Sequence, residues 1–427
     1  MSSKRPRRKR IPRVAFFAAI AMAGAAAAQL PIETVGRSEV LERAFDPHRV
    51  WAADGLLGRL NLVDLDDGAF LGQIDAGWGM PQVLFSPEKR ELYVPETYFS
   101  RGTRGARTDV ATIYDAKTLA PSAEVLLPPK RAINPLPTGN AALSDDGRML
   151  AVFNMDPATS LSIVDLETRQ LRAEIPTPGC SLAYAAGARR FLALCADGGL
   201  LTLELDAAGG LARAERSAPF FDPEADPVTE KAVRWGNRWI FVSFEGHVHE
   251  VDLSNGAPRF EAPWSLLDAE DREDSWRVGG LQHLALHEAT GRLYSLVHQG
   301  GPDSHKDPGT EIWVHDLAER RRVQRIEALN PGPTVMGYPI VFGPDWFYRF
   351  ALDTVMPRVG VDAIAVTQDA EPLLLAGAKY TAGLVVYDAR SGELLRRVFT
   401  GGMTSQALYT LPPLPEAEPS PSDRSAP

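Results

Sequence analysis

The chain has 427 residues, 44% hydrophobic and 23% charged, with 45 Lys and Arg against 55 Asp and Glu and a formal net charge of −10. That balance supplies enough apolar material for a sizeable core and excludes a largely disordered chain. The acidic surplus argues against nucleic acid or an anionic membrane as the main partner and suits a basic partner or a cationic substrate.

From the N-terminus, Lys4 to Arg13 is densely positive, Val14 to Ala28 is apolar, and Ala26-Ala27-Ala28 supplies small residues before Gln29. This pattern predicts a secretory signal over residues 1–28, an extension over 29–45 and a periplasmic mature chain. The Arg7-Arg8 pair alone does not make a twin-arginine signal. A membrane anchor is the competing reading, but no stop-transfer flank follows and the segment ends in small residues.

Residues 46–413 repeat. Seven times an apolar run ends in an aspartate and a polar turn before a second apolar run: Leu62-Val63-Asp64, Ile113-Tyr114-Asp115, Val164-Asp165, Leu205-Asp206, Val251-Asp252, Val314-His315-Asp316 and Tyr387-Asp388. A period of about fifty residues fits propeller blades rather than solenoids. Six of these hairpins follow another strand pair, as in Gln82 to Ser86 and Glu91 to Pro95 about the Pro87 to Arg90 turn. Four strands per unit predict an all-β, seven-bladed β-propeller. The first hairpin lacks an inner strand, while Gln406 to Leu411 is spare. This spare C-terminal strand is expected to join the N-terminal blade and close the ring.

Chemistry is sparse. Gly-x-Ser-x-Gly, phosphate-binding glycine loops, His-Glu-x-x-His and Cys-x-x-Cys are all missing, so the common hydrolase, nucleotide and zinc signatures do not apply. His247, His249, His283, His287, His298 and His305 cluster in sequence, at spacings open to metal ligation or to ordinary hydrogen-bonded histidines. Cys180 and Cys195 stand on neighbouring strands of one blade. In an exported chain they are expected to form a structural disulfide, against the alternative of two buried thiols.

Three segments stand out. Thr97 to Val110 is read as one loop carrying Phe99, Arg101, Arg104 and Arg107, which anchors itself or docks an acidic partner. Residues 330–361 form a long insertion rich in aromatics and prolines, suited to an interface with a subunit, another protein or a membrane surface, or to a lid on its own blade. Residues 414–427, rich in Pro, Ser and Glu, read as a disordered tail.

The Phe99-Ser100-Arg101-Gly102 to Arg107-Thr108-Asp109 core resembles the large (heavy, or α) subunit of the periplasmic quinoprotein amine dehydrogenases. Asp252 to Gly256, Asp274 to Gln282, His287, Arg292 to Val297, His305-Lys306 and Gln368 to Glu393 are similar to it in the same order. The resemblance implies a propeller that pairs with a small subunit as α2β2, the small subunit carrying tryptophan tryptophylquinone. It implies oxidative deamination of a primary amine to aldehyde and ammonia, with electrons passed to a blue copper protein of the amicyanin or azurin type. It also places the family's intrachain disulfide at Cys180 and Cys195. No catalytic, cofactor-binding or metal residue is then expected in this chain, whose eight tryptophans show no paired arrangement in sequence. The family holds a phenylalanine in the amine route from an early blade loop. Here Ala53 to Gly58 is shorter and offers Leu56 and Leu57 as the channel-lining residues. The alternative is a stand-alone periplasmic propeller acting as a binding scaffold or a lactonase-like hydrolase.

Overall fold

The computed structural model describes residues 40–134, 138–329, 331, 334–335, 338–339, 360–378, 381–402 and 406–414. The proposed signal, most of the 29–45 extension, most of the 330–361 insertion and the tail beyond 414 lie outside the described residues. Seven four-strand antiparallel paths form the blades, and only Ala269–Glu273 is α-helical among the described residues. The second and third strands of a blade are buried on both faces because each blade packs on two neighbours. Met149–Asn154 and Ser160–Asp165 are buried throughout, whereas the outermost Leu211–Arg216 is exposed throughout. Middle strands therefore read as continuous apolar runs rather than alternating ones.

The repeated aspartate has a local cause. At the end of each third strand its carboxylate accepts N–H bonds from the following turn. Asp115 takes Lys117 and Thr118 at 3.0 and 2.8 Å, and Asp388 takes Arg390 and Ser391 at 2.9 and 2.7 Å. Those donors hold the Asp115, Asp316 and Asp388 carboxyls below the ordinary range. Four residues on, the backbone turns left-handed at Gly68, Gly256 and Gly392, with φ of 76°, 91° and 75°. Leu119, Arg169 and Arg320 take the same turn at 56°, 54° and 50°. A side chain there costs about 1 kcal/mol, which explains why glycine occupies this position in other blades.

The core is circular. Apolar clusters wedge between successive blades, and one of them, with Val50, Val63, Leu375, Val386 and Leu408, joins the last blade to the first. Gln406–Tyr409 is the innermost strand of the first blade, antiparallel to Arg49–Asp54 with Ala52 opposite Leu408. The expected closure is therefore observed. Glutamines reinforce the inner ring by copying backbone pairing. Gln82 both donates to and accepts from Ala141 at 3.0 Å, and Gln282 does the same with Leu408 at 2.8 and 2.9 Å.

His48 spans the same seam. Its Nδ1 lies 3.0 Å from the Asp66 carboxylate in the first blade and its Nε2 lies 3.1 Å from Asp369 in the last. Both nitrogens face acceptors, so both carry a proton in the best-bonded form. Burial opposes the charge, but the bonds and charges of Asp66 and Asp369 raise the imidazole above its ordinary 6.5. Arg396 also reaches Asp66, at 3.2 Å.

Two outcomes test the seam. Leu408→Ala should lower unfolding stability by about 3 kcal/mol, since a leucine only 2% exposed leaves a cavity at the closure. A chemical-denaturation midpoint equal to wild type would remove the closing strand from that role. A histidine raised in the fold contributes fully below its unfolded value and loses that contribution as pH rises through its folded value. Wild-type stability should therefore carry a component, present in full below about pH 6.5, that declines as pH rises above it and that His48→Gln abolishes. Parallel pH profiles for the two proteins would contradict this.

Candidate functional site

One face of the ring carries the turns between second and third strands and the connections from blade to blade. Exposed large apolar residues divide unevenly over the molecule. Phe70, Leu126, Leu171, Leu211, Val323 and Leu395 are scattered singly, one on the outer strand of each of six blades. Leu56, Leu57, Trp78, Tyr98, Ile133 and Met155 instead gather on this face across the first three blades. Contacts join them. Gly58, in the turn after Leu57, lies against Gly77, where a Cβ would stand 2.0 Å from the Gly77 carbonyl oxygen. The Trp78 ring meets Phe99 edge-on at 6.5 Å, its Nε1–H donates to the Gly102 carbonyl at 2.8 Å, and Ile133 packs on Gly79.

The segment from Thr97 to Val110 is not one loop. Strands Glu91–Phe99 and Arg107–Asp115 pair through Phe99 opposite Arg107, so only Ser100 to Ala106 forms the tip of a long hairpin. Cross-strand pairing outlasts the apolar pattern here because Thr97 and Asp109 face each other and bond at 2.9 Å. The three arginines consequently divide. Arg107 holds Asp109 in a bidentate pair at 2.9 and 2.8 Å. Arg101 and Arg104 stand exposed at the tip, and Phe99 braces Trp78.

Asp109 is the centre of a knot that sequence reading missed. It is fully buried and also accepts the Arg131 backbone N–H at 2.8 Å. The Arg131 side chain is 4% exposed and donates to Thr97 Oγ1 at 2.9 Å and to the Trp78 carbonyl at 2.7 Å. Burial pushes its guanidinium down to about 10, with Asp109 opposing. One acid thus ties hairpin, connection and exposed tryptophan together. On the hairpin's other side, buried Glu96 accepts hydroxyls from Thr112, Tyr98 at 2.9 Å and Tyr114 at 2.7 Å, and its burial raises the carboxyl. The sequence signal was available: Glu96, Thr97 and Asp109 interrupt otherwise apolar strands.

The histidines disperse. His247 bonds Asp226 at 2.7 Å, His283 is fully buried against Thr229 at 3.0 Å, His287 bonds Thr290 at 2.8 Å, His298 bonds Ser304 at 2.9 Å, and His249 and His305 pack on Phe220 and Phe244. Among the described residues no group of three or more His, Cys, Asp or Glu is placed to hold a metal ion. Cys180 and Cys195 are directly opposed across two strands of the fourth blade and form a disulfide, with Cα atoms 3.9 Å apart. Two tryptophans distant in sequence do meet. The rings of Trp276 and Trp313 lie 5.1 Å apart with Arg325 over both at 5.0 Å, a packed cation–π arrangement. On the opposite face, the first strands surround a cavity of about 860 Å³ whose Arg234 pairs with Asp145 at its rim.

The family model described as methylamine dehydrogenase heavy chain (MADH) matches residues 49–331. The methylamine dehydrogenase heavy chain of Paracoccus versutus is 29% identical over 353 residues, which cover 82% of this chain and 75% of that one. The protein of the same description from Methylophilus methylotrophus is 25% identical over 401 residues, 91% of each chain. Among solved structures, a functionally unknown protein from Desulfotomaculum acetoxidans has a TM-score of 0.52 at 11% identity, covering 86% of this chain and 99% of that one. This last likeness concerns the fold alone.

Removing the knot's acid tests its role. Asp109→Ala leaves Arg131 and Arg107 without their shared carboxylate and should cost about 3–5 kcal/mol of unfolding free energy. Thermal unfolding within a degree of wild type would show that the knot is dispensable.

Proposed function

As a member of the methylamine dehydrogenase heavy chain family, the chain is the non-catalytic large subunit of an amine dehydrogenase, and we propose that its apolar face covers a small quinone-bearing subunit. Tryptophan tryptophylquinone on that subunit supplies the oxidising chemistry, converting a primary amine to aldehyde and ammonia. Electrons then pass to a blue copper protein of the amicyanin or azurin type, and the assembly is α2β2. The observation that carries the docking assignment is the gathering of Leu56, Leu57, Trp78, Tyr98, Ile133 and Met155 on one face while other exposed apolar residues stay scattered. Clustered aromatic and aliphatic exposure marks a protein interface, whereas single exposed residues do not.

Within that interface the chain's contribution is shape and exclusion of water. Leu56 and Leu57 are held at a turn by Asp54, whose Oδ1 accepts both of their backbone N–H groups at 2.9 and 3.0 Å. They line the amine route, and their aliphatic side chains set which amines pass. By its aromatic and proline-rich sequence the 330–361 insertion is assigned to the same interface. Its last residue, Val361, exchanges two backbone hydrogen bonds at 2.8 and 2.9 Å with Gly309, in a turn between second and third strands. Residues 1–28 act as the export signal, 29–45 as an extension, 46–413 as the propeller and 414–427 as a tail. The Cys180–Cys195 disulfide supports residence in an oxidising compartment such as the periplasm.

Separate expression of the two chains, and co-expression, test the assignment through dye reduction with methylamine, a longer alkylamine and an aromatic amine. Turnover is expected only from the co-expressed complex. In that complex Leu56→Phe should lower kcat/KM for the bulky amines about 10-fold more than for methylamine. Amine-dependent turnover by the large chain alone overturns the assignment, and an unchanged amine ranking removes Leu56 from the route.

A further inference from the structure

We infer that Arg101 and Arg104 form a paired carboxylate-binding edge for the small quinone-bearing subunit, an inference that rests on the assembly proposed above. Charge complementarity comes first. Arginines of this acidic chain mostly face a carboxylate of their own fold, as in Arg292–Asp316 at 2.7 Å, Arg325–Glu311 at 2.8 Å and Arg216–Asp197 at 2.8 Å. Arg101 and Arg104 are exposed and have no such partner among the described residues. Asp109, the acid of the same hairpin, is buried and already bound by Arg107 and Arg131. The tip therefore projects two uncompensated guanidiniums from a molecule whose net charge is −10.

The tip is also ordered. Ser100 N–H donates to the Ala106 carbonyl at 3.0 Å, Arg101 N–H donates to the Arg104 carbonyl at 2.9 Å, and Ala106 N–H donates to Ser100 Oγ at 3.0 Å. Trp78 fixes it from the side through Gly102. A tip ordered before contact loses less backbone entropy on binding. Its position matters equally, because it borders the exposed Trp78 and Tyr98. An apolar centre with a cationic edge is the anatomy of a specific protein interface, and planar guanidiniums select carboxylates through bidentate bonds.

The test uses complexes purified after co-expression of the small chain with wild type, with Arg101→Glu/Arg104→Glu, or with Arg101→Lys/Arg104→Lys. Subunit dissociation is followed by sedimentation across ionic strengths from about 0.05 to about 0.5 M, alongside thermal unfolding of each isolated large chain. The glutamate pair should weaken association about 10-fold at low salt, with the difference shrinking as salt rises. The lysine pair should fall between, because it keeps the charge and loses the fork. Unfolding of the large chain should not shift. An active wild-type complex whose affinity and salt dependence match those of the glutamate variant overturns this inference and leaves the assembly standing. Intact assembly with a raised KM for the copper protein assigns the arginines to the electron acceptor and overturns it too, as does a change confined to self-association of the large chain. A wild-type chain that never associates with the small chain removes both readings.

Discussion

Everything in this molecule depends on one antiparallel pairing, that of Gln406–Tyr409 with Arg49–Asp54. A propeller blade has too little apolar area to stand alone, and each wedge of core needs two blades to exist. With the closing strand in place the series of wedges has no end, and Val50 and Val63 find Leu375 and Val386 across the junction. The polar contacts at the junction, from Gln282 to Leu408 and from Asp66 through His48 to Asp369, are directional and fix the register that apolar packing leaves loose. Covalent chemistry takes no part in closure, since the disulfide joins two strands inside the fourth blade.

Rigidity of the ring passes to the proposed docking face through Asp109. Its carboxylate gathers donors from the hairpin and from the connection after the second blade. Arg131 then carries the link to Trp78, so an exposed aromatic side chain is positioned by a buried acid. A charge this deep is costly to bury unless all its bonding capacity is used, and here four donors use it.

Much of the architecture was legible because its causes are local and repeated. The aspartates show in sequence because each performs the same turn capping, and the missing inner strand shows because every other blade has one. The extent of the Glu91–Phe99 and Arg107–Asp115 strands was not legible, because glycines and arginines in the tip resemble those of a solvated loop. Nor could sequence separate Arg107 from Arg101 and Arg104. That difference is made by Arg131 and Asp109, which come together through pairing and not through spacing. The Trp276–Trp313 contact has the same origin, as their strands both lie against Arg292–Gln299.

The first blade has a temporal consequence. Its innermost strand leaves the ribosome after every other described strand of the ring and, for an exported protein, crosses the membrane after them. Until then Arg49–Asp54 presents an unpaired edge of Val, Trp and Ala, the kind of surface to which a neighbouring unfinished chain can add a strand. Maturation is thus governed by the order of arrival, the first-made blade waiting on the ring's last-made strand, and a cell making this protein must keep nascent copies apart for as long as the ring stays open.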